Sequence, residues 1–198
     1  MTLVVATLGD SITAGSPLWD PDPVERANIG AAADERSQWQ WWAAQRDERL
    51  EFRNHGVCGE RTEQIAARLD AAVEGADVLV VQGGINDVVH HGSIEAAARN
   101  LESMVQRGRA HGLAVAVADV LPWNNGDRRA AADIESLNLL VAALAERLGV
   151  PLLPFHDTLV DPDRPTRMHG EWTDDGNHPS VEGHRRLGEL AFRLPDPF

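Results

Sequence analysis

The sequence contains no lysine and only one cysteine, Cys58. Because every basic residue is an arginine, mechanisms that need a lysine, such as Schiff-base, P-loop and Ser-Lys chemistry, are excluded. A single cysteine forms no disulfide within the chain, and nothing in the sequence indicates an oxidising compartment. No apolar run approaches the roughly 20 residues that a membrane span needs.

Positive charge is also scarce. The chain has 18 Lys+Arg against 31 Asp+Glu, which gives a formal net charge of −13 at pH 7. A field of this sign repels polyanions, and no cluster of arginines is dense enough to offset it. The sequence therefore predicts no nucleic-acid partner.

Length and the first residues define the expected organisation. A chain of 198 residues can bury a sizeable core, and we predict a single domain over residues 1–198. Residues 1–8 lack the basic segment of a signal peptide and run directly into a polar motif, so we expect a cytoplasmic protein. Nothing in the sequence points to an oligomeric state.

The motif Gly9-Asp10-Ser11 directly follows the apolar residues 3–8. An apolar run that meets such a motif, with Gly15 shortly after, predicts a buried strand that ends in a tight turn at the start of a helix. Ser11 would then lie at the carboxyl end of the first strand, where open α/β sheets place their ligand crevices. A serine there offers both a nucleophile and a backbone N–H for an anion.

Strand and helix patterns alternate along the rest of the chain. This alternation predicts an α/β fold, a parallel sheet covered by helices on both faces. Strands are predicted at residues 3–8, 50–54, 77–82, 113–118 and 150–154. Helices are predicted at residues 37–46, 62–72, 93–110, 128–148 and 180–192, and long loops at 16–36 and 156–172.

Three further stretches place polar or glycine residues just after strands or before the last helix. Gly59 can let its N–H approach a substrate closely, and Asn86 can donate from its side-chain amide. Asp175 and His178 have an Asp-x-x-His spacing, which lets the carboxylate reach one imidazole nitrogen while the other faces a serine. Ester hydrolysis by Ser11 needs a base, an orienting carboxylate and oxyanion donors, and each has a candidate here.

Each of these residues also has an ordinary structural interpretation. Asp10 or Ser11 can simply cap a helix, Gly59 can be a turn glycine, and residues 86–87 can form another cap. Cys58 is a rival nucleophile, but no His-Asp pair is as well placed for it, and free cysteines are usually buried. Together, and in this order along the chain, these residues indicate a catalytic site more strongly than any one of them does alone.

No metal or cofactor is expected. His90 and His91 are adjacent and so point apart, and neither a His-Glu-x-x-His nor a paired-cysteine pattern exists. The three tryptophans at 39, 41 and 42 are predicted to pack in the core, since three rings so close on one helix cannot all face one ligand.

With these motifs in place, the sequence resembles the SGNH hydrolases, also called the GDSL esterase family, over nearly its whole length. The resemblance rests on four ordered blocks: Gly9-Asp10-Ser11 with Gly15, Asn54 to Gly59, Gly84-Ile85-Asn86-Asp87, and Asp175 to His178. One block departs from the family, since residues 58–61 read Cys-Gly-Glu-Arg where many members have Ser-Gly-Asp-Thr. That departure affects neighbouring contacts, because the oxyanion hole needs only the Gly59 amide.

The resemblance implies both a fold and a mechanism. It implies a three-layer sandwich with a five-stranded parallel sheet in the flavodoxin-like order 2-1-3-4-5. By the same resemblance Ser11 is the nucleophile, Asp175 and His178 complete the catalytic triad, and Ser11, Gly59 and Asn86 form the oxyanion hole. No cofactor is implied, and the partner is a small-molecule ester.

We expect a carboxylic ester hydrolase that acts on short acyl groups carried by a carbohydrate or small metabolite. Lysophospholipase, thioesterase or acyltransferase activity on the same triad, and a binding module without turnover, remain alternatives. Three loops, residues 16–36, 121–127 and 156–172, are expected to rim the pocket. Their large side chains are those of Trp19, Trp123, Trp172 and Met168.

Overall fold

The computed structural model describes residues 2–197, whose central feature is a five-stranded sheet with all neighbouring strands parallel. Its strands are β1 (Leu3–Gly9), β2 (Leu50–Gly56), β3 (Val78–Val81), β4 (Ala114–Ala118) and β5 (Leu152–Leu153). They lie in the order β2-β1-β3-β4-β5. The predicted parallel sheet and its strand order are therefore confirmed.

Helices connect the strands and cover the sheet. They are α1 (Ser11–Ala14), α2 (Pro23–Ile29), α3 (Trp39–Ala44), α4 (Thr62–Ala67), α5 (Leu69–Ala72), α6 (Ile85–Val89), α7 (Ile94–Ala110), α8 (Arg128–Leu148), α9 (Phe155–Leu159) and α10 (Val181–Arg186). A π-helical segment, Leu187–Ala191, continues α10. Between α9 and α10, β6 (Val160–Asp161) and β7 (Arg164–Met168) form an antiparallel hairpin.

Two hydrophobic cores lie on opposite faces of the sheet. Alternate residues of β3 point into opposite cores. Leu79 and Val81 pack with α4, α7 and α8. Val78 and Val80 pack with α3 and the chain after α9. All four side chains are fully buried. Strands that are covered on both faces read as continuous apolar runs, which is why the sequence pattern located them.

Local differences from the sequence prediction have identifiable causes. Residues 62–72 form two short helices because Arg68 leaves helical geometry, and its guanidinium donates to the carbonyl oxygens of Gly9 and His55. The predicted loop at 156–172 contains α9 and the β6–β7 hairpin, and the loop at 16–36 contains α2. The helix predicted at 37–46 begins at Trp39, with Gln38 as its cap residue, and ends at Ala44.

The tryptophans of α3 divide between core and surface. Trp39 is fully buried and packs edge-on against Phe52 and Phe155, whereas Trp41 and Trp42 are half-buried. The prediction of core packing therefore holds in full only for Trp39. Among residues 2–197, no helix combines the length and apolar character needed to cross a membrane.

The end of β2 lies directly against α1. The amide of Asn54 donates to the carbonyl of Ala14 at 3.1 Å, and its side-chain oxygen accepts from Gly56 N at 2.9 Å. A Cβ at Gly56 would overlap the backbone nitrogen of Ala14 and lie 2.5 Å from its Cα. Only a glycine at 56 lets the turn after β1 approach β2 this closely.

We expect Gly56→Ala to lower the free energy of unfolding by about 1–3 kcal/mol or more, since the clash is with backbone and α1 would have to move. Gly170→Ala is the matched control, because a Cβ there meets no heavy atom within 4 Å. Its change should stay within about 0.5 kcal/mol. Denaturant unfolding of both variants gives the comparison, and equal losses would contradict the assignment of close contact to Gly56.

Candidate active site

Ser11 lies at the turn between β1 and α1. Asp10 caps the helix, and its Oδ1 accepts from Ile12 N at 3.0 Å. Ser11 is the first helical residue, so its backbone N–H has no acceptor within the helix. The cap role considered for Asp10 or Ser11 thus belongs to Asp10, which leaves both the hydroxyl and the N–H of Ser11 for other partners.

A chain of hydrogen bonds runs from Ser11 to Asp175. His178 Nε2 lies 3.1 Å from Ser11 Oγ, and His178 Nδ1 lies 2.8 Å from Asp175 Oδ2. Partial burial raises the pKa of Asp175, but the hydrogen bonds from the His178 side chain and from the amides of His178 and Asn177 outweigh it and lower this pKa below its ordinary value. Asp175 is therefore ionised at neutral pH.

An ionised carboxylate can only accept, so the hydrogen on Nδ1 of His178 donates to Asp175. In the neutral imidazole the other nitrogen, Nε2, then has a free lone pair. The hydroxyl of Ser11 donates to that lone pair. This arrangement allows the imidazole to remove a proton from the serine.

The turn that carries His178 is held by the loop after β4. Asp175 Oδ1 accepts from the amides of Asn177 and His178, at 2.7 and 2.8 Å. From the other side, Trp123 Nε1 donates to Asn177 Oδ1, and Asn125 donates to the Asp175 carbonyl at 2.8 Å. The orientation of the imidazole therefore depends on residues that the sequence motifs do not include.

Gly59 lies on the loop after β2, and Asn86 lies in the first turn of α6. Gly59 has a φ of +77°, a left-handed conformation that side chains rarely adopt, although a Cβ there would meet no atom within 4 Å. Backbone conformation, and not lack of space, therefore requires this glycine. Asn86 donates one amide hydrogen to the carbonyl of Glu60 at 3.0 Å, which fixes its side chain and leaves its second hydrogen for a ligand.

Polar contacts hold the loop after β2 and the start of α6 in place. Asp87 accepts from both the backbone and the hydroxyl of Thr62, each at 2.9 Å, and so joins α6 to α4. Arg68 donates to Glu60 at 2.7 Å and to the carbonyl of Gly9 at 2.8 Å. Position after a strand pointed to residues 86–87, but no sequence signal identified Thr62 or Arg68.

A small cavity of about 180 Å³ opens at Ser11. It is lined by Ser11, Ile12, Ile85, Asn86, Val89, Trp123, Asn177 and His178. Of the four large side chains expected around it, only Trp123 lines it. Met168 is wholly buried in a hydrophobic core, while Trp19 and Trp172 stack with the guanidinium groups of Arg26 and Arg186.

Comparison with known proteins identifies the family. The model of the GDSL-like Lipase/Acylhydrolase family matches residues 7–186. The chain belongs to this family. Family membership places it among the carboxylic ester hydrolases, and no curated protein matches it.

Solved structures with GDSL-type folds superpose over most of the chain. A lipolytic protein of the G-D-S-L family from Desulfitobacterium hafniense has a TM-score of 0.77 and 22% identity, covering 96% of this chain and 97% of its own. A GDSL-like lipase from Bacteroides thetaiotaomicron has a TM-score of 0.73 and 22% identity, with 94% and 84% covered. A catalytic mutant of an acetylxylan esterase from Geobacillus stearothermophilus has a TM-score of 0.73 and 17% identity, with 95% and 92% covered. At these identities the likeness is one of fold.

Cys58 stands beside Gly59 in this GDSL-family chain, and its position differs from the expectation that free cysteines are buried. The residue is exposed, with its sulfur 2.8 Å from Ser16 Oγ and 3.5 Å from a carboxylate oxygen of Asp20. Desolvation of the thiol and the nearby carboxylates raise its pKa. Because the thiolate is the reactive form, these surroundings disfavour Cys58 as a nucleophile.

Metal ligation has no obvious location in the described part of the chain. Among residues 2–197, no group of three or more His, Cys, Asp or Glu side chains is arranged to hold a metal ion.

The carboxyl group of Asp10 is buried, which the sequence motif did not predict. It is fully buried, and within residues 2–197 its Oδ2 has no hydrogen-bond partner. Burial raises its pKa from 3.8 to about 6. The hydrogen bond from the Ile12 amide and the nearby Gln82 side chain act against that rise. Above pH 6 the fold therefore carries a buried, poorly compensated negative charge next to Ser11.

We expect Asp10→Asn to stabilise the protein at pH 8 and not at pH 4. The folded carboxyl has the higher pKa, so the wild type loses stability as pH rises from 3.8 to about 6, whereas an uncharged cap does not. The gain at pH 8 should be about 1–3 kcal/mol. Thermal or urea unfolding at both pH values tests this, and a gain of equal size at pH 4 would rule out the charge as its cause.

Proposed function

We propose that this chain hydrolyses carboxylic esters through an acyl-enzyme on Ser11. The observation that carries the proposal is the continuous hydrogen-bonded chain Ser11–His178–Asp175, with contacts of 3.1 and 2.8 Å. A serine with a base within hydrogen-bond reach, and a third group that orients the base, is the general signature of nucleophilic catalysis.

In the first half of the proposed reaction, Ser11 Oγ attacks the ester carbonyl carbon as its proton passes to His178 Nε2. Asp175 stabilises the resulting imidazolium through the Nδ1 hydrogen. The oxygen of the tetrahedral intermediate receives hydrogen bonds from the N–H groups of Ser11 and Gly59 and from the Asn86 amide. The bond to the alcohol then breaks, and His178 returns its proton to the departing oxygen.

In the second half, water replaces the alcohol. His178 removes a proton from the water as the water oxygen attacks the acyl carbon on Ser11. The second tetrahedral intermediate uses the same three donors. When it collapses, the carboxylic acid leaves, Ser11 Oγ recovers its proton from His178, and no cofactor is consumed.

The size and lining of the Ser11 cavity support a short acyl group. About 180 Å³ bounded by Ile12, Ile85 and Val89 provides apolar contact for a few methylene groups. Trp123 on the same wall offers an aromatic face beside the polar side chain of Asn177. Such a pairing suits a carbohydrate or another small polyhydroxylated metabolite as the alcohol.

We expect Ser11→Ala to lose turnover of a chromogenic acetyl ester by at least about 10³-fold, because the nucleophile is gone and only binding and oxyanion donors remain. An organophosphonate should label wild-type Ser11, as read by peptide mass. Ser136→Ala is the matched control, since this exposed hydroxyl lies on α8 and donates to the Ala132 carbonyl at 2.8 Å. Wild-type turnover in Ser11→Ala would refute the mechanism, and an unlabelled Ser11 in folded protein would indicate a binding module.

Acyl-chain length should control the rate. Across a series of p-nitrophenyl esters, kcat/KM should peak at acetyl or butyryl and fall by about tenfold or more at octanoyl, since the cavity cannot enclose the longer chain. Val89→Ala should move the peak to longer chains, whereas Val24→Ala, a substitution on exposed α2, should not.

The same series of esters also tests the alternative activities. A preference for octanoyl or longer chains would indicate a lysophospholipase instead, and faster cleavage of matched thioesters would indicate a thioesterase. Acylated sugar formed in place of free acid, when a sugar acceptor is added, would indicate an acyltransferase.

A further inference from the structure

A second, larger cavity lies away from Ser11. It has a volume of about 490 Å³, lies between α8, the end of β4 and α9, and shares no lining residue with the Ser11 cavity. Its size falls within the range of small-molecule sites in proteins. Nothing in the proposed ester chemistry uses it.

Asp119 forms the polar end of this cavity. It follows β4 directly, is only 8% exposed, and accepts from His156 N at 2.7 Å. None of the arginine side chains that the structure describes forms an ion pair with it, and every hydrogen bond to it from those residues comes from the backbone. A buried carboxylate with no counter-ion is costly, and a cation in the cavity would lower that cost.

The other charged groups of the cavity have the same preference. Glu135 from α8 and Asp157 from α9 are both acidic, and among the described lining residues only His156 can become positive. None of the described arginine side chains lines the cavity, and the whole chain carries a net charge of −13. An anionic ligand would therefore be repelled, whereas a cation is attracted.

The remaining walls are mostly apolar. Ile134 and Leu139 of α8 face Leu152 of β5 across the cavity, and Leu139 is 68% exposed. An inorganic cation would leave these side chains in contact with water or empty space. A ligand with an apolar body and a positively charged end would cover them and reach the carboxylate.

We propose that this cavity binds a small organic ammonium ion, with its nitrogen donating to Asp119 and its apolar body packed against Leu139 and Ile134. The site requires neither Ser11 nor His178, so the test of ammonium binding is independent of the proposed ester hydrolysis.

Binding should depend on pH in a defined direction. Burial, with the neighbouring Asp157 carboxylate, raises the pKa of Asp119 to about 7. Below that value the carboxyl is protonated and neutral, and above it the carboxylate attracts the cation. A bound ammonium ion would in turn lower this pKa, so its binding releases a proton when the solution is near pH 7.

Isothermal titration of the intact wild-type chain with benzylamine, which is protonated throughout, and with neutral benzyl alcohol tests the proposal. We expect benzylamine to bind at least about tenfold more tightly than the alcohol at pH 8, and several-fold more weakly at pH 6 than at pH 8. Asp119→Asn should weaken benzylamine binding by about tenfold. Glu146→Gln removes the same charge from the exposed side of α8, outside the cavity, and should change little.

A second variant keeps the test valid if Asp119→Asn does not fold. Ala142→Leu adds bulk to the α8 wall and should abolish binding while it leaves every charge in place. Equal affinities for benzylamine and benzyl alcohol would overturn the proposal. So would benzylamine binding that survives Ala142→Leu, or that does not weaken from pH 8 to pH 6.

Discussion

The hydrogen bond between Ser11 Oγ and His178 Nε2 joins residues that are 167 positions apart in the sequence. Neither residue can bring the other into place by local structure. Ser11 is fixed at the start of α1, against the end of β2, while His178 lies on a turn before α10. The proposed chemistry depends on both segments meeting at one edge of the sheet, and the rest of the fold keeps them there.

The parallel arrangement of the strands explains why the site residues lie at that edge of the sheet. The carboxyl ends of β1, β2, β3 and β4 all point the same way, so the loops after them lie side by side. The segments that follow these strands carry Ser11, Gly59, Asn86 and Trp123 in turn. The central strand β3 provides a rigid base beneath these segments, because its residues are fully buried and packed on both faces.

The site also includes a buried charge and a backbone conformation that favours glycine. Asp10 is buried next to Ser11 with a raised pKa, and Gly59 needs a left-handed backbone. Neither feature adds stability, but each arranges groups around the serine. In a family of ester hydrolases, such local costs are expected where function and not stability selects the residue. Asp119 is a similarly buried carboxyl group, and it lines the second cavity.

The sequence by itself determined the fold class and most of the candidate site. Apolar runs located β1, β3 and β4, and an alternating pattern located β2, while the short motifs at 9–11, 84–87 and 175–178 identified residues that lie together in the structure. These signals are local, because burial on both faces and turn geometry leave their marks on adjacent residues. The order of strands followed only from resemblance to the family.

Tertiary structure alone decided which side chains hold the site in place. Trp123 and Asn125 fix the turn of His178, and Met168 is in the core instead of at the rim. Arg68 joins the ends of β1 and β2 to Glu60. A side chain that acts across 50 or more residues leaves no periodic or spacing pattern in the sequence. Its partners are set by how helices and loops pack, and the cavity beside Asp119 arises from the same packing.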